Sequence, residues 1–287
     1  MPDVVKANIK LVKELRISTD LPMKDCMEAL IESNNNLEEA HRILKVKGLA
    51  KAEKKSVNTA ADGITKVLID GDKAVIAELN CQTEQVAALQ EYNNLFNKIA
   101  TTILKHSPKT VVEALKLKSN SSADNLGDEL KLAIAKLGEN IVLTRFEIVT
   151  KNKDEVFGSY VHGGGKFTSL VVIKGVDNKS DVPHNIAMQI VSGNPKFIDL
   201  NSIPKTTRDN ELEILQEQAK DEKKPAAIIE KMIEGRLQKF FASLTIVDQD
   251  YSKDLTIKVK DYLTKNHATI ITMVRYQLGE KIDNSTK

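Results

Sequence analysis

The sequence predicts an α+β fold: an N-terminal three-helix domain, then a core of two similar antiparallel-sheet-plus-helices subdomains with an inserted helical (coiled-coil) hairpin. Three observations carry this prediction. Residues 1–50 show only helical periodicity. Residues 64–149 and 156–278 each run as hairpin, helices and closing strand. A highly charged stretch with apolar seams interrupts the second run. The expected boundaries are 1–50 for the helical domain, 51–62 for a linker, 63–152 for the first core subdomain and 153–287 for the second, with its hairpin at about 205–241.

In the first domain, Val5, Ile9, Val12 and Leu15 form one face of a helix, with Asp3 as its N-cap. The chain breaks at Ser18-Thr19-Asp20-Leu21-Pro22, and proline fits the first turn of the next helix, where its missing N–H costs nothing. That helix is expected to carry Met23, Cys26, Met27 and Leu30 inward and to end at Asn34-Asn35-Asn36. Asn36 and Glu39 have capping-box spacing. The third helix presents Leu37, Ala40, Ile43 and Leu44 and is expected to stop near Gly48. A core of about a dozen apolar side chains is marginal alone, so this domain is expected to dock or to act as a tethered binding unit. The charged segment Lys51-Ala52-Glu53-Lys54-Lys55-Ser56 reads as a solvated connector.

Ile64 to Asn80 reads as a β-hairpin around Asp70-Gly71, a type I′ turn signal. The apolar strand Ala74 to Leu79 runs into Asn80-Cys81-Gln82-Thr83-Glu84-Gln85-Val86-Ala87. A helix with Val86, Leu89, Phe96, Ile99 and Ile103 at helical spacing runs out of it. The Thr83 hydroxyl is placed to accept a bond from an orphan N–H of the first turn, and Glu84 lies where the helix dipole favours negative charge. Local chemistry leaves two readings: a capped helix start, or a turn whose first side chains face a partner. Helices are expected at 84–104, 110–117 and 123–137, with Gly138 in the left-handed conformation that ends the last, and Ile141 to Val149 alternates as a strand.

The pattern then repeats. Val156 to Gly175 is a hairpin turning at Gly163-Gly164-Gly165, Ile186 to Val191 is helical, a long helical region follows, and Ala268 to Leu278 closes as a strand. The closing strands read alike, Thr144-Arg145-Phe146 and Val274-Arg275-Tyr276, which points to an internal duplication. The insertion pairs Asp209 to Gln218, striped by Leu212 and Leu215, with a seam of Ile228, Ile229, Met232, Ile233 and Leu237 across a reversal at Glu222-Lys223-Lys224-Pro225. It reads either as a structural spur or as a surface for a partner or for self-association.

Composition narrows the function. Hydrophobic residues make up 41% and charged residues 29%, as in a soluble globular chain. The net charge of +2, from 42 basic and 40 acidic residues, argues against nucleic acid as the main partner. No apolar run approaches the roughly 20 residues that span a bilayer. Two cysteines in apolar settings, Cys26 and Cys81, and an N-terminus without a signal-peptide core lead to the expectation of a reducing cytoplasm. The five histidines, His41, His106, His162, His184 and His267, are scattered, none at metal-ligand spacing. Gly163 to Lys166 lies between strands and reads as a turn, not a phosphate cradle. Aromatic content is 4% and tryptophan is absent, so base-stacking platforms are not expected. No catalytic, metal or cofactor site is expected, and the weight falls on an interaction protein rather than an enzyme.

Several blocks then point one way. They are Leu11-Val12-Lys13-Glu14-Leu15-Arg16 with Thr19 and Met23-Lys24-Asp25-Cys26-Met27-Glu28-Ala29-Leu30; Ala60-Ala61-Asp62-Gly63; Asn80-Cys81-Gln82-Thr83; Gly138-Glu139-Asn140-Ile141; Gly158-Ser159-Tyr160-Val161-His162; His184-Asn185-Ile186-Ala187-Met188; and Glu230-Lys231-Met232-Ile233-Glu234-Gly235-Arg236. In these blocks, and in their order along nearly the whole chain, the sequence resembles the bacterial elongation factor Ts family, the nucleotide-exchange factors of elongation factor Tu. The resemblance implies a ubiquitin-associated-like (UBA-like) N-terminal domain, a duplicated core and a coiled-coil insertion. It also implies binding to Tu carrying GDP, loosening of the nucleotide and its Mg²⁺, and departure when GTP takes over. Carried over residue by residue, it implies Tu contacts at Arg16, Met23, Glu84, Gln85, Leu137, Gly138 and His162.

Three positions depart from the family pattern. Lys24 stands where the N-terminal patch has a second Met. The terminal helical module of longer members has no counterpart between Gly279-Glu280-Lys281-Ile282 and Lys287. Glu84-Gln85 stands where the family reads Asp-Phe, and that phenylalanine ring wedges between Tu helices near the Mg²⁺ side of the nucleotide. The resemblance therefore carries an alternative, a Tu-binding chaperone with impaired or differently tuned exchange. Residues 1–50 alone would also suit a ubiquitin-associated-type adaptor outside translation, which the core blocks disfavour.

Overall fold

Three helices open the chain in the computed structural model, which describes residues 5–19, 21–119, 123–220 and 225–281. They are α1 (Ile9–Thr19), α2 (Met23–Glu32) and α3 (Leu37–Lys55). Val12, Leu15, Cys26, Ala29, Leu30, Ile43 and Leu44 form their common core. Fully burying an aliphatic side chain of this size contributes about 1.5–3 kcal/mol. Asn36 caps α3 by accepting the Glu39 N–H at 3.1 Å. The Glu39 carboxylate does not close a capping box; it holds Arg42 through two bonds of 2.8 and 2.6 Å.

Two expectations for this region are corrected. Met23 and Met27 do not point inward: they are 46% and 41% exposed, and with Ile31 they line one outer stripe of α2. The inward stripe is Cys26, Ala29 and Leu30. Residues 23 and 26 lie about 60° apart round a helix, and a bundle this small covers only one such stripe. α3 does not stop near Gly48. It runs on to Lys55, so most of the expected connector, Lys51 to Lys55, is its C-terminal end, and Ser56 closes it with its N–H on the Ala52 and Glu53 carbonyls.

The next elements are β1 (Asp62–Asp70), β2 (Lys73–Cys81), α4 (Glu84–Ala87), α5 (Gln90–His106), α6 (Val111–Leu115), α7 (Leu126–Leu137) and β3 (Val142–Thr150), with sheet order β1-β2-β3. Gly48 does not end a helix but faces α7, where a Cβ would make ordinary van der Waals contact with Ala135 Cβ at 3.4 Å and Leu132 Cδ2 at 3.7 Å. The hairpin turns on Gly71-Asp72, one residue later than expected. Only Gly71 has positive φ, at 60°, which excludes a type I′ turn. The single helix expected over 84–104 is two, because Leu89 is extended at ψ 143°. The Asn93 side-chain amide donates to the Ala87 carbonyl that the break frees, at 3.4 Å, and to the Leu89 carbonyl, which also accepts the Asn93 N–H, at 3.1 Å. Tyr92, Phe96, Ile99 and Ile103 form the buried stripe of α5.

The chain continues with β4 (Glu155–His162), a tight turn at Gly163–Gly165, β5 (Phe167–Lys174), α8 (Val182–Gly193), α9 (Lys205–Ala219), α10 (Ala226–Leu244), β6 (Asp250–Tyr251), β7 (Asp254–Lys258), α11 (Val259–Lys265) and β8 (Thr269–Gln277). β5 pairs antiparallel with both β4 and β8, giving the order β4-β5-β8. This repeats the order of the first sheet, closing strand beside the second hairpin strand, as the duplication predicts. Val171, Ile173, Ile186, Ile190, Ile246 and Val259 form the core here. The long helical region contains an unexpected small hairpin, β6–β7, and the short α11. α9 and α10 pair as expected, with Leu215 and Phe241 buried, Ile229, Met232, Ile233 and Leu237 half-buried, and Ile228 exposed. The expected reversal at Glu222-Lys223-Lys224, the Asp3 cap and the end at Lys287 lie outside the described residues.

The chain divides into two compact units. One gathers the chain up to Leu68, Ala77–Ile148 and the segment from Leu278 on; the other gathers Ile69–Ile76 and Val149–Gln277. Among the described residues no helix is long and apolar enough to cross a membrane.

In the second unit α8 rests directly on β4. A Cβ on Gly158 would lie 2.2 Å from the Pro183 carbonyl oxygen. Gly158→Ala is therefore expected to lower the unfolding free energy by about 1–3 kcal/mol, read as a lower urea midpoint at unchanged m-value.

Candidate functional site

β2 delivers the chain to the Asn80–Thr83 junction, and buried polar groups fix its path. The Tyr92 hydroxyl donates to the Leu79 carbonyl at 2.6 Å. The Asn80 amide donates to the Asp62 carbonyl at 3.2 Å and to Glu78 at 3.3 Å, and its oxygen accepts the Thr144 hydroxyl. Glu78 is buried, yet both its oxygens are occupied. Arg145 Nε donates to one at 2.7 Å and the Gly279 N–H to the other at 2.8 Å. A second Arg145 nitrogen lies 3.6 Å from Glu280.

The turn itself is α4, four residues long. Thr83 is extended, at φ −136° and ψ 150°, and its hydroxyl oxygen accepts the Val86 N–H at 3.4 Å. Val86 and Ala87 turn inward, while Glu84 and Gln85 are exposed. The cap is as the sequence predicts.

The rest of the junction comes from the far end of α7. Gly138, at φ 79°, ends that helix with its N–H on the Ile134 carbonyl. The next residue turns back toward the junction. One Glu139 oxygen accepts the Gln82 and Thr83 N–H groups, both at 3.0 Å, and the other accepts the Thr83 hydroxyl at 2.7 Å. The Gln82 side-chain oxygen accepts the Asn140 N–H at 2.9 Å and the Asn58 amide at 3.2 Å. The Asn140 amide donates to the carbonyls of Asn58, at 2.8 Å, and Ser56, at 3.4 Å. The end of α3, the end of α7 and the exposed turn thus share one network.

The seven residues carried over from the family resemblance fall as follows. Glu84, Gln85, Leu137 and Gly138 come together, joined through Glu139. Leu137 is half-buried and, with Leu95 and Leu132, lines a cleft of about 640 Å³. Ser18, Thr19 and Leu21 line the same cleft. Arg16 and Met23 flank that segment and are exposed. His162 belongs to the other unit. It is exposed at the end of β4, with its Nδ1 3.2 Å from the Tyr160 hydroxyl and its ring 6.3 Å from that of Phe167. Sequence reasoning gave no role to Gln82, Glu139 or Asn140. The one available signal was a polar pair directly after a helix-ending glycine, whose side chains must find partners outside α7. It also missed the outward stripe of Met23, Met27 and Ile31, signalled by i, i+4, i+8 spacing.

Among the described residues no group of three or more His, Cys, Asp or Glu side chains is arranged to hold a metal. Burial pushes the Cys81 thiol and the Tyr92 phenol above their ordinary pKa values, so both stay protonated.

The sequence profile described as Elongation factor TS matches residues 82–280, from the junction to just past β8. The chain belongs to the elongation factor Ts family. It is 36% identical over 280 residues to the elongation factor Ts of Lactiplantibacillus plantarum, covering 98% of this chain and 94% of that protein. It is 38% identical over 272 residues to that of Levilactobacillus brevis, covering 95% and 92%. As a member of the Ts family the chain is a translation elongation factor.

The pH dependence of its stability follows from the junction. In the unfolded chain Cys81 and Tyr92 ionise near pH 9.0 and 10.0; in the folded chain both pKa values are raised. The unfolded state then holds fewer protons above pH 9.0, so their contribution is complete below that pH and is lost as pH rises. Urea unfolding of this Ts-family chain between neutral and alkaline pH should show that decline. Tyr92→Phe should make the decline shallower. It should also cost about 1–3 kcal/mol at neutral pH, because the Leu79 carbonyl loses its donor.

Proposed function

We propose that this chain is the nucleotide-exchange factor of elongation factor Tu: it binds Tu carrying GDP, disturbs the Mg²⁺ and phosphate side of the nucleotide, and leaves when GTP takes over. No bond of the nucleotide is made or broken, and no cofactor takes part. The observation that carries this reading is the short α4 turn, which exposes Glu84 and Gln85 from a junction tied down on three sides. A rigid turn with an acidic tip suits insertion into a partner's nucleotide switch. A loose loop would lose its conformational freedom on every encounter.

The acceleration is a matter of linkage. A factor that binds nucleotide-free Tu more tightly than Tu·GDP must weaken GDP by the same ratio; a 100-fold ratio corresponds to about 2.7 kcal/mol of coupling. Arg16 and the Met23, Met27 and Ile31 stripe supply a second contact on the N-terminal helices. Leu137 and Gly138 lie beside the tip, and His162 supplies a contact from the second unit. An exposed stripe of Met and Ile is apolar and adaptable, as a docking helix face requires. Gln85 bears on the alternative reading, a Tu-binding chaperone with weak exchange, because an amide does not fill an aromatic wedge's pocket.

Release of a fluorescent GDP analogue from Tu tests the proposal. Saturating factor should speed release by at least about 100-fold; an unchanged rate ends the exchange reading, and tight binding without faster release favours the chaperone. Gln85→Phe should speed release further with the fold unchanged. Slower release would mean that the amide has its own co-adapted site on Tu. Met23→Ser, on an exposed face, should raise the half-saturating concentration about tenfold, roughly 1.4 kcal/mol.

A further inference from the structure

We infer that Glu139 is a positioning residue for exchange: its carboxylate holds the Gln82–Thr83 backbone so that Glu84 and Gln85 are presented in one fixed orientation. This rests on the exchange reading and assigns a role to a side chain that need not touch Tu.

A four-residue helix has no stability of its own, since nucleation alone costs more than so short a run returns. The Thr83 cap is a weak support, because its bond to the Val86 N–H is 3.4 Å, beyond the usual 2.7–3.2 Å. Glu139 provides the strong contacts. Its two oxygens accept three hydrogen bonds, at 3.0, 3.0 and 2.7 Å, from the two residues directly before α4. Bonds to an ionised acceptor are roughly twice as strong as neutral ones, and Glu139 is half-buried, where water competes less. The hydroxyl contact also orients Thr83. Its proton goes to Glu139, which turns a lone pair toward the Val86 N–H. One carboxylate therefore sets both the backbone entering α4 and the cap that starts it. Asn140 holds the Gln82 side chain by a separate bond, so the clamp on α4 belongs to Glu139.

The test measures GDP-analogue release from Tu over a range of factor concentrations, for the wild type, Glu139→Ala, Glu139→Gln and Glu84→Ala/Gln85→Ala, and for that tip-less pair combined with Glu139→Ala. Glu139→Ala should lower the maximal release rate about tenfold or more, while the half-saturating concentration moves less than about threefold, because docking through the N-terminal helices persists. Glu139→Gln keeps one oxygen for the two N–H groups and should restore part of the loss. In the tip-less background Glu139→Ala should have no further effect, the non-additivity expected when one residue acts through another. An unchanged maximal rate in folded Glu139→Ala overturns the inference, as does an equal drop in the tip-less background.

Amide hydrogen exchange supplies a readout independent of Tu. Gln82, Thr83 and Val86 should lose protection in Glu139→Ala while α5 and α7 keep theirs; unchanged protection at the junction would also overturn the clamp. Thr83→Val, which removes the donated hydroxyl, carries the same measurement if Glu139→Ala does not fold. A wild-type factor that fails to speed release would end the exchange reading, while the exchange data still decide whether Glu139 holds the turn.

Discussion

Three hydrogen bonds converge on the Glu139 carboxylate, and the geometry of the exposed turn depends on them. The donors, Gln82 and Thr83, stand 57 and 56 residues earlier in the chain. They are brought within reach because Gly138 reverses the chain at the end of α7. Asn140, next in sequence, reaches Gln82 and the end of α3, so the segment after the three-helix module is tied to the same loop that carries Glu84 and Gln85. The close approach of α3 to α7 at Gly48 and Ala135 supports that tie with packing.

Beneath the turn lies a second constraint, the buried carboxylate of Glu78. A buried charge is tolerated only when its partners are complete, and removing one partner of such a pair typically costs about 3–5 kcal/mol. Glu78 meets the condition through Arg145, Gly279 and Asn80. Those partners come from β3, from the segment after β8 and from β2 itself. The first sheet is therefore closed by residues from both ends of the core. The result is a firm base under the α4 turn, from which Glu84 and Gln85 are exposed.

The duplication was legible because hairpins, helices and closing strands leave strong periodic signals. Both sheets place the closing strand beside the second hairpin strand, and the alike segments around Arg145 and Arg275 occupy those closing strands. The β6–β7 hairpin and α11 were not legible, since elements of two, five and seven residues are too short to show a period. The break at Leu89 escaped for a different reason. Val86 and Leu89 fit one helical stripe with Phe96, and only the Asn93 amide, bonded across the break, marks where the helix restarts.

The sequence by itself determined the α+β class, the order of the main elements, the Thr83 and Asn36 caps and the left-handed Gly138, because each is written in neighbouring residues or in a repeating spacing. It also carried the family blocks, and with them the expected tip at Glu84 and Gln85. Tertiary structure decided the rest. It decided that Met23 and Met27 face out and that α3 runs through Gly48, because both depend on which stripe a neighbouring helix covers. It decided that Glu139 holds the tip, because a carboxylate's partners are set by where α7 ends in space, and no local stretch of sequence contains both sides of that contact.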